Sequence, residues 1–217
     1  MNVRISVKRF NPETDADPRW VEYEIPARER MTVLEALMYI YENTDPTLAF
    51  RFGCRFHKCG LCAIEVNGRP RMGCFTEVRD GMQIGPLGRM PVLRDLVIDR
   101  AGFFNDLRVL ELFIPEQEEL SEPAGIRQED AHEKLLLCLE CLGCNATCPH
   151  LGFPGSLRTG PYVFVKVAQL HFDPRNRIDR KRQALNLGLD KCLQCRKCYC
   201  VNGIDIQRYA IGALAGE

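Results

Sequence analysis

Apolar and polar residues alternate along Val3-Arg4-Ile5-Ser6-Val7 and again along Val21-Glu22-Tyr23-Glu24-Ile25. That period of two is the mark of a strand buried on one face. The period then changes. Val33, Leu34, Leu37, Met38 and Tyr41 recur at three- and four-residue intervals, and Thr32 is followed three residues later by Glu35. A capping box ahead of an apolar stripe predicts a helix over 32–43. Ala63-Ile64-Glu65-Val66 reads as a short strand, and Asn67-Gly68 as the tight turn after it. Strand, strand, helix, cysteine-bearing loop and strand together predict a small β-grasp sheet within residues 1–114. Residues 115–130, PEQEELSEPAGIRQED, are acidic and broken by Pro and Gly, which predicts a surface linker. The remainder, 131–217, reads as all-α, with helices expected at 131–140, around 161–172, at 176–188 and at 204–214. The basic positions Arg175, Arg177, Arg180, Lys181 and Arg182 read as a solvated helix face. The fold class is therefore α+β, a β-grasp domain followed by a helical one.

Charge narrows the function. Among 217 residues, Lys+Arg and Asp+Glu are both 29. A balanced chain is a poor neutraliser of phosphates, so no nucleic-acid partner is expected. No apolar run approaches the ~18 residues of a membrane span. The first twenty residues lack the apolar core of a signal peptide. A cytoplasmic chain is expected, in a compartment that keeps thiols reduced.

Twelve cysteines then need an explanation. They fall into three groups of four, which disfavours disulfides in a reducing compartment and favours metal ligation. The first is Cys54-x4-Cys59-x2-Cys62 with Cys74, the plant-type [2Fe–2S] spacing. Gly53 and Gly60 let the backbone turn tightly against such a cluster, and Cys74 returns from beyond the Asn67-Gly68 turn. Zinc, the rival, prefers well-separated pairs. His57 in this loop reads as an exposed bystander, with a tuning role as the sharper alternative. The second group, Cys138-x2-Cys141-x2-Cys144-x3-Cys148-Pro149, matches the bacterial [4Fe–4S] run, whose fourth cysteine ligates the other cube. The third group is Cys192-x2-Cys195-x2-Cys198, with Cys200 two residues on. The swap assigns Cys138, Cys141, Cys144 and Cys200 to the second cluster, and Cys148, Cys192, Cys195 and Cys198 to the third. Cys200 is irregularly spaced and is the ligand least well specified.

These motifs together resemble the iron–sulfur subunit of succinate dehydrogenase and fumarate reductase. The resemblance includes Val7-Lys8-Arg9-Phe10-Asn11-Pro12-Glu13, Phe50-Arg51-Phe52-Gly53-Cys54-Arg55, Val92-Leu93-Arg94-Asp95-Leu96-Val97-Ile98-Asp99 and Phe172-Asp173-Pro174-Arg175-Asn176-Arg177. It implies an N-terminal [2Fe–2S] ferredoxin-like domain and a C-terminal helical ferredoxin domain with two further clusters. It implies an electron-transfer subunit that does no substrate chemistry itself and relays single electrons between an FAD-containing catalytic partner and a quinone or other acceptor, with a membrane-anchor or other redox subunit holding the chain at the inner membrane face. Two departures stand out. Cys195 occupies a position where most members carry a non-cysteine residue and a [3Fe–4S] centre. A fourth thiolate favours [4Fe–4S] there, with [3Fe–4S] as the alternative. His150-Leu151-Gly152-Phe153-Pro154 follows the fumarate reductase branch more closely, and Val201-Asn202 stands where that branch has a basic residue. A different flavin oxidoreductase without quinone is the alternative function, and a zinc-stabilised interaction module the non-redox one.

Overall fold

The computed structural model describes residues 2–115, 130–151 and 160–216. Most of the expected linker and Gly152-Phe153-Pro154 lie outside them. The described residues within 1–99 and 139–147 form one compact unit, and those within 100–138 and 148–217 a second.

In the first unit the alternating segments become strands β1 (Asn2–Arg9) and β2 (Arg19–Pro26), antiparallel from Asn2 opposite Pro26 to Arg9 opposite Arg19. β3 (Ala63–Val66) and β4 (Arg69–Met72) form the hairpin around Asn67-Gly68. Both turn residues have positive φ, 51° and 72°, as a two-residue primed turn requires. β5 (Met82–Gly85) lies between β1, which it meets in parallel, and β3. The strand order is β2-β1-β5-β3-β4. Two short strands, β6 (Val92–Arg94) and β7 (Val97–Ile98), pair separately.

Helix α1 (Val33–Asn43) starts at Thr32 with the capping box in place. Glu35 N donates to Thr32 Oγ1 at 3.2 Å, and Thr32 N to Glu35 Oε2 at 2.8 Å. Its buried stripe is Val33, Leu34, Ala36, Leu37 and Ile40. Most of that stripe packs with Ile5, Val7, Ile25, Val66 and Ile84 of the sheet into one core. Each such side chain contributes roughly 1.5–3 kcal/mol, so this core holds the unit together and fixes where its loops emerge.

The second unit is helical: α2 (Ala101–Val109), α3 (Asp130–Leu136), α5 (Pro161–Phe172), α6 (Arg180–Asn186) and α7 (Leu189–Cys195), then a π-helical segment, Gln207–Gly212, and a last turn, Ala213–Ala215. A further short helix, α4 (Gly143–Ala146), belongs to the first unit. Helix α5 is apolar nearly all round, with Tyr162, Val163, Phe164, Val165, Val167 and Ala168 buried. It is the axis against which α3, α6 and the π-helical segment pack.

Four expectations change. The helix expected over 131–140 ends at Leu136. The helix expected over 176–188 is shorter. Asp179 caps it by accepting from Arg182 N at 3.0 Å, and Gly188, at φ 88°, ends it and opens α7. The expected 204–214 helix begins later and is mainly π-helical. Arg180 is not solvated; it is 1% exposed. Its guanidinium donates to Asn176 Oδ1, Gln183 Oε1 and the carbonyls of Glu111 and Phe113 at 2.8–3.0 Å. A planar fork of donors can serve several acceptors at once, and here it ties the chain after α2 to α6.

Candidate metal centres

The first cysteine group is assembled by the ends of regular elements. The opening of α1 leaves N–H groups with no partner inside the helix. Val33 N donates to Thr76 O at 2.7 Å and Leu34 N to Gly73 O at 2.9 Å. Gly73 N donates to Cys62 O at 2.9 Å. Helix start, hairpin end and Cys62 are thus laced together, and Cys74 is held beside Cys62, with its N–H 3.4 Å from Cys62 Sγ.

On the other side Cys54 is reached through an aromatic run. Tyr41 meets Phe50 edge-on at 6.2 Å, Phe50 stacks on Phe52 at 5.8 Å, and Arg55 lies over Phe52 at 5.3 Å. From Cys54 to Cys62 the backbone repeatedly turns left-handed, at Arg55 (φ 63°), His57 (58°) and Gly60 (70°). Such alternation points successive N–H groups into a concavity that suits anionic sulfur. Lys58 N and Cys59 N donate to Cys54 Sγ at 3.2 and 3.3 Å, and Cys54 N to Cys59 Sγ at 3.5 Å. Gly60 is required twice over. Its φ is left-handed, and a Cβ there would stand 2.2 Å from Leu139 O and 3.2 Å from Cys141 Cα.

The thiols divide in acidity. Desolvation pushes Cys54 up, but the N–H groups of Phe56, Lys58 and Cys59 outweigh it and bring the thiol down to about 7. Cys62 is pushed up to about 12, first by burial and then by the neighbouring thiols of Cys74 and Cys59.

In the second unit one pocket is lined by Cys148, Cys192, Cys195 and Cys198 together with His150 and Lys197. Cys192 and Cys195 come from α7, at an i,i+3 spacing that puts both on one face. Arg196, at φ 48°, ends that helix and turns the chain toward Cys198. Gln207 Nε2 donates to Cys192 O at 3.3 Å and ties the π-helical segment to α7; such segments are frequent at functional sites. Burial first, and then the neighbouring thiols of Cys148 and Cys195, push Cys192 up to about 11 and Cys198 up to about 12. A set of neighbouring, half-buried thiols ionises together only around positive charge, so the donor sets of both units fit thiolate-bound iron.

The second group is divided. Cys141 and Cys144 lie in the first unit, Cys144 on α4, and Cys138 and Cys200 in the second. Asn202 Nδ2 donates to Leu137 O at 2.7 Å, and Asn202 N lies 3.4 Å from Cys200 Sγ, which brings the Cys200 turn to the Cys138 segment. Among the described residues no three His, Cys, Asp or Glu side chains close on a single-ion site, and no helix is long and apolar enough to cross a membrane. The rings of Phe56, two residues after Cys54, and Phe75, next to Cys74, are 70% and 73% exposed, and their closeness in sequence to the cysteines is what marks them there.

Comparison with known proteins follows the same lines. Residues 4–105 match a family model described as a 2Fe-2S iron–sulfur cluster binding domain. The chain is 32% identical to the fumarate reductase iron–sulfur subunit of Escherichia coli O6:H1 over 190 residues, 84% of this chain and 78% of that one. It is 35% identical to a subunit of the CoM/CoB fumarate reductase of Methanothermobacter marburgensis over 198 residues, 90% of this chain and 40% of that one. The chain thus spans about two fifths of the length of the archaeal relatives it matches. Among solved structures, a chain of the Mycobacterium smegmatis Sdh1 complex in the apo form superposes with a TM-score of 0.82 at 26% identity, covering 99% of this chain and 94% of that one.

Proposed function

Since the chain belongs to the family of fumarate reductase and succinate dehydrogenase iron–sulfur subunits, we propose that it relays single electrons between an FAD-containing catalytic subunit and a second redox partner. The observation that carries this reading is the gathering of thiols at two separate places, Cys54, Cys59, Cys62 and Cys74 in the first unit and Cys148, Cys192, Cys195 and Cys198 in the second. When bound, iron–sulfur clusters supply one-electron transfer at potentials set by ligands, hydrogen bonds and burial. The chain's part is to hold and tune them. Cys54, Cys59, Cys62 and Cys74 would hold a [2Fe–2S] cluster, with N–H groups of the 54–62 loop donating to sulfur. Cys138, Cys141, Cys144 and Cys200 would hold the second cluster, and Cys148, Cys192, Cys195 and Cys198 the third. Four thiolates in the third set favour [4Fe–4S] over [3Fe–4S].

A second reading, a flavin oxidoreductase that uses no quinone, is favoured by the Methanothermobacter marburgensis relative, which is named for CoM/CoB. A membrane-anchoring partner belongs to the first reading and is not needed by the second. Anaerobic purification with metal and acid-labile sulfide analysis tests the common core. One [2Fe–2S] and two cubes give about ten irons per chain; a colourless, zinc-loaded chain overturns it. Co-purification of the native complex separates the readings: a flavin subunit with a membrane anchor supports the first, and a flavin subunit with no anchor the second.

A further inference from the structure

His57 sits midway between Cys54 and Cys59, and its imidazole does not behave as a surface ring. Its Nε2 is shielded from solvent and, among the described residues, meets no hydrogen-bond partner. The ring stacks on Phe75, the residue after Cys74, with centroids 4.6 Å apart and planes 19° apart. The backbone of His57 is left-handed, φ 58°, a conformation uncommon outside glycine that persists where its surroundings hold it. Loop and stack together fix the direction of the ring. A shielded polar nitrogen with no partner is destabilising, and in the tautomer that carries its proton on Nε2 this nitrogen needs an acceptor. The neighbouring side chains of Arg55 and Lys58 carry only donors. The acceptor that this loop is built to surround is sulfur.

We propose that His57 donates a hydrogen bond from Nε2 to a sulfur of the cluster held by Cys54, Cys59, Cys62 and Cys74, and that this bond raises the cluster's reduction potential. The inference rests on the cluster assignment above. Reduction adds negative charge to the cluster sulfurs, and a donor aimed at them stabilises the reduced state more than the oxidised one. The neutral imidazole suffices, because its Nε2–H donates without any change of protonation. Phe75 positions the ring and does not touch the charge. His57 is thus a tuning residue, not a ligand.

The test is a redox titration of the complete, anaerobically purified protein, following the first cluster by electron paramagnetic resonance, in wild type, His57→Phe, His57→Gln and Phe75→Ala. Expected are a lower potential in His57→Phe at unchanged iron content, a potential nearer wild type in His57→Gln, whose amide still donates, and an intermediate value in Phe75→Ala. An unchanged potential in His57→Phe overturns the proposal. Should His57→Phe lose the cluster, the wild type answers by itself. Protein labelled with ¹⁵N only in histidine must show a weak nitrogen coupling to the reduced first cluster, and absence of that coupling overturns the proposal. A wild type with no [2Fe–2S] signal and no matching iron fails at the earlier step and overturns the cluster assignment along with it.

Discussion

Asp95 is the side chain whose loss should cost the first unit most for the smallest chemical change. It is 2% exposed and follows β6 at φ 45°. One carboxylate oxygen accepts from Arg9 Nε at 2.9 Å and Phe10 N at 2.8 Å, and the other from Ala49 N at 2.8 Å. Arg9, itself 7% exposed, is held further by Tyr23 Oη at 2.6 Å, by Thr47 Oγ1 at 3.0 Å and by Asp45. This network pins the end of β1 to the segment that runs from α1 into Cys54. Asp95→Asn keeps the size and tolerates the left-handed backbone, so it isolates the charge. It turns one acceptor oxygen into a donor facing a donor, and it leaves a buried guanidinium short of one partner. An unsatisfied buried group costs about 1–3 kcal/mol, and breaking a buried ion pair about 3–5. Arg9 retains Asp45, so about 2–4 kcal/mol is expected. For a chain of this length each kcal/mol moves the melting temperature by about 2–4 °C, so a fall of about 5–15 °C follows. Circular dichroism melts at one fixed scan rate, with the clusters intact at the start, measure it. The same substitution made in an Arg9→Met background should cost much less, because the pair is already broken. A fall below about 2 °C, or an equal cost in both backgrounds, would refute the reasoning.

Other consequences are open to measurement. The Asp45 carboxyl is held below the usual carboxylate range, because the hydroxyls of Thr47 and Tyr23 and the guanidinium of Arg9 outweigh the desolvation that opposes ionisation. A lowered folded-state pKa adds stability that is complete above the unfolded value near ~4 and is lost as pH falls through the folded one. The gap in melting temperature between wild type and Asp45→Asn should therefore be full at pH 7 and shrink below about pH 4; a constant gap contradicts the network. Gly60→Ala should cost at least about 1–2 kcal/mol from its left-handed backbone alone, and the clash with Leu139 O adds to that. Its expected mark is iron content below wild type, and full iron content at wild-type stability would show that segment 139–147 does not need this approach. Cys195→Ser should lower iron from about ten to about nine per chain and produce a three-iron signal in the oxidised protein at low temperature. An unchanged spectrum would remove Cys195 from the third cluster.

Much was legible in the chain because it is local. Strand period, the Thr32–Glu35 capping box, the Asn67-Gly68 turn and the spacing of Cys54, Cys59 and Cys62 are each settled by residues within a few positions of one another. So is the core stripe of α1, which one periodicity carries. Even Cys74 could be expected beside Cys62, because one two-residue hairpin joins them.

What only the tertiary structure decided depends on partners remote in sequence. Arg180 reads as one more basic position on a helix until the carbonyls of Glu111 and Phe113 arrive to cover it. Helix α2 gave no clear periodic signal, and no helix was expected at α7, beyond the 176–188 segment. Segment 139–147 groups with the sheet although the chain on either side of it groups with the helices. No local pattern foretells that, because the approach of Leu139 to Gly60 joins residues nearly eighty positions apart. The ring of His57 is a bystander in the sequence, whereas in the fold its Nε2 is shielded and Phe75 stacks on it from a different loop. Periodicity and ligand spacing are properties of neighbouring residues, whereas burial and hydrogen-bond partners are properties of the folded chain.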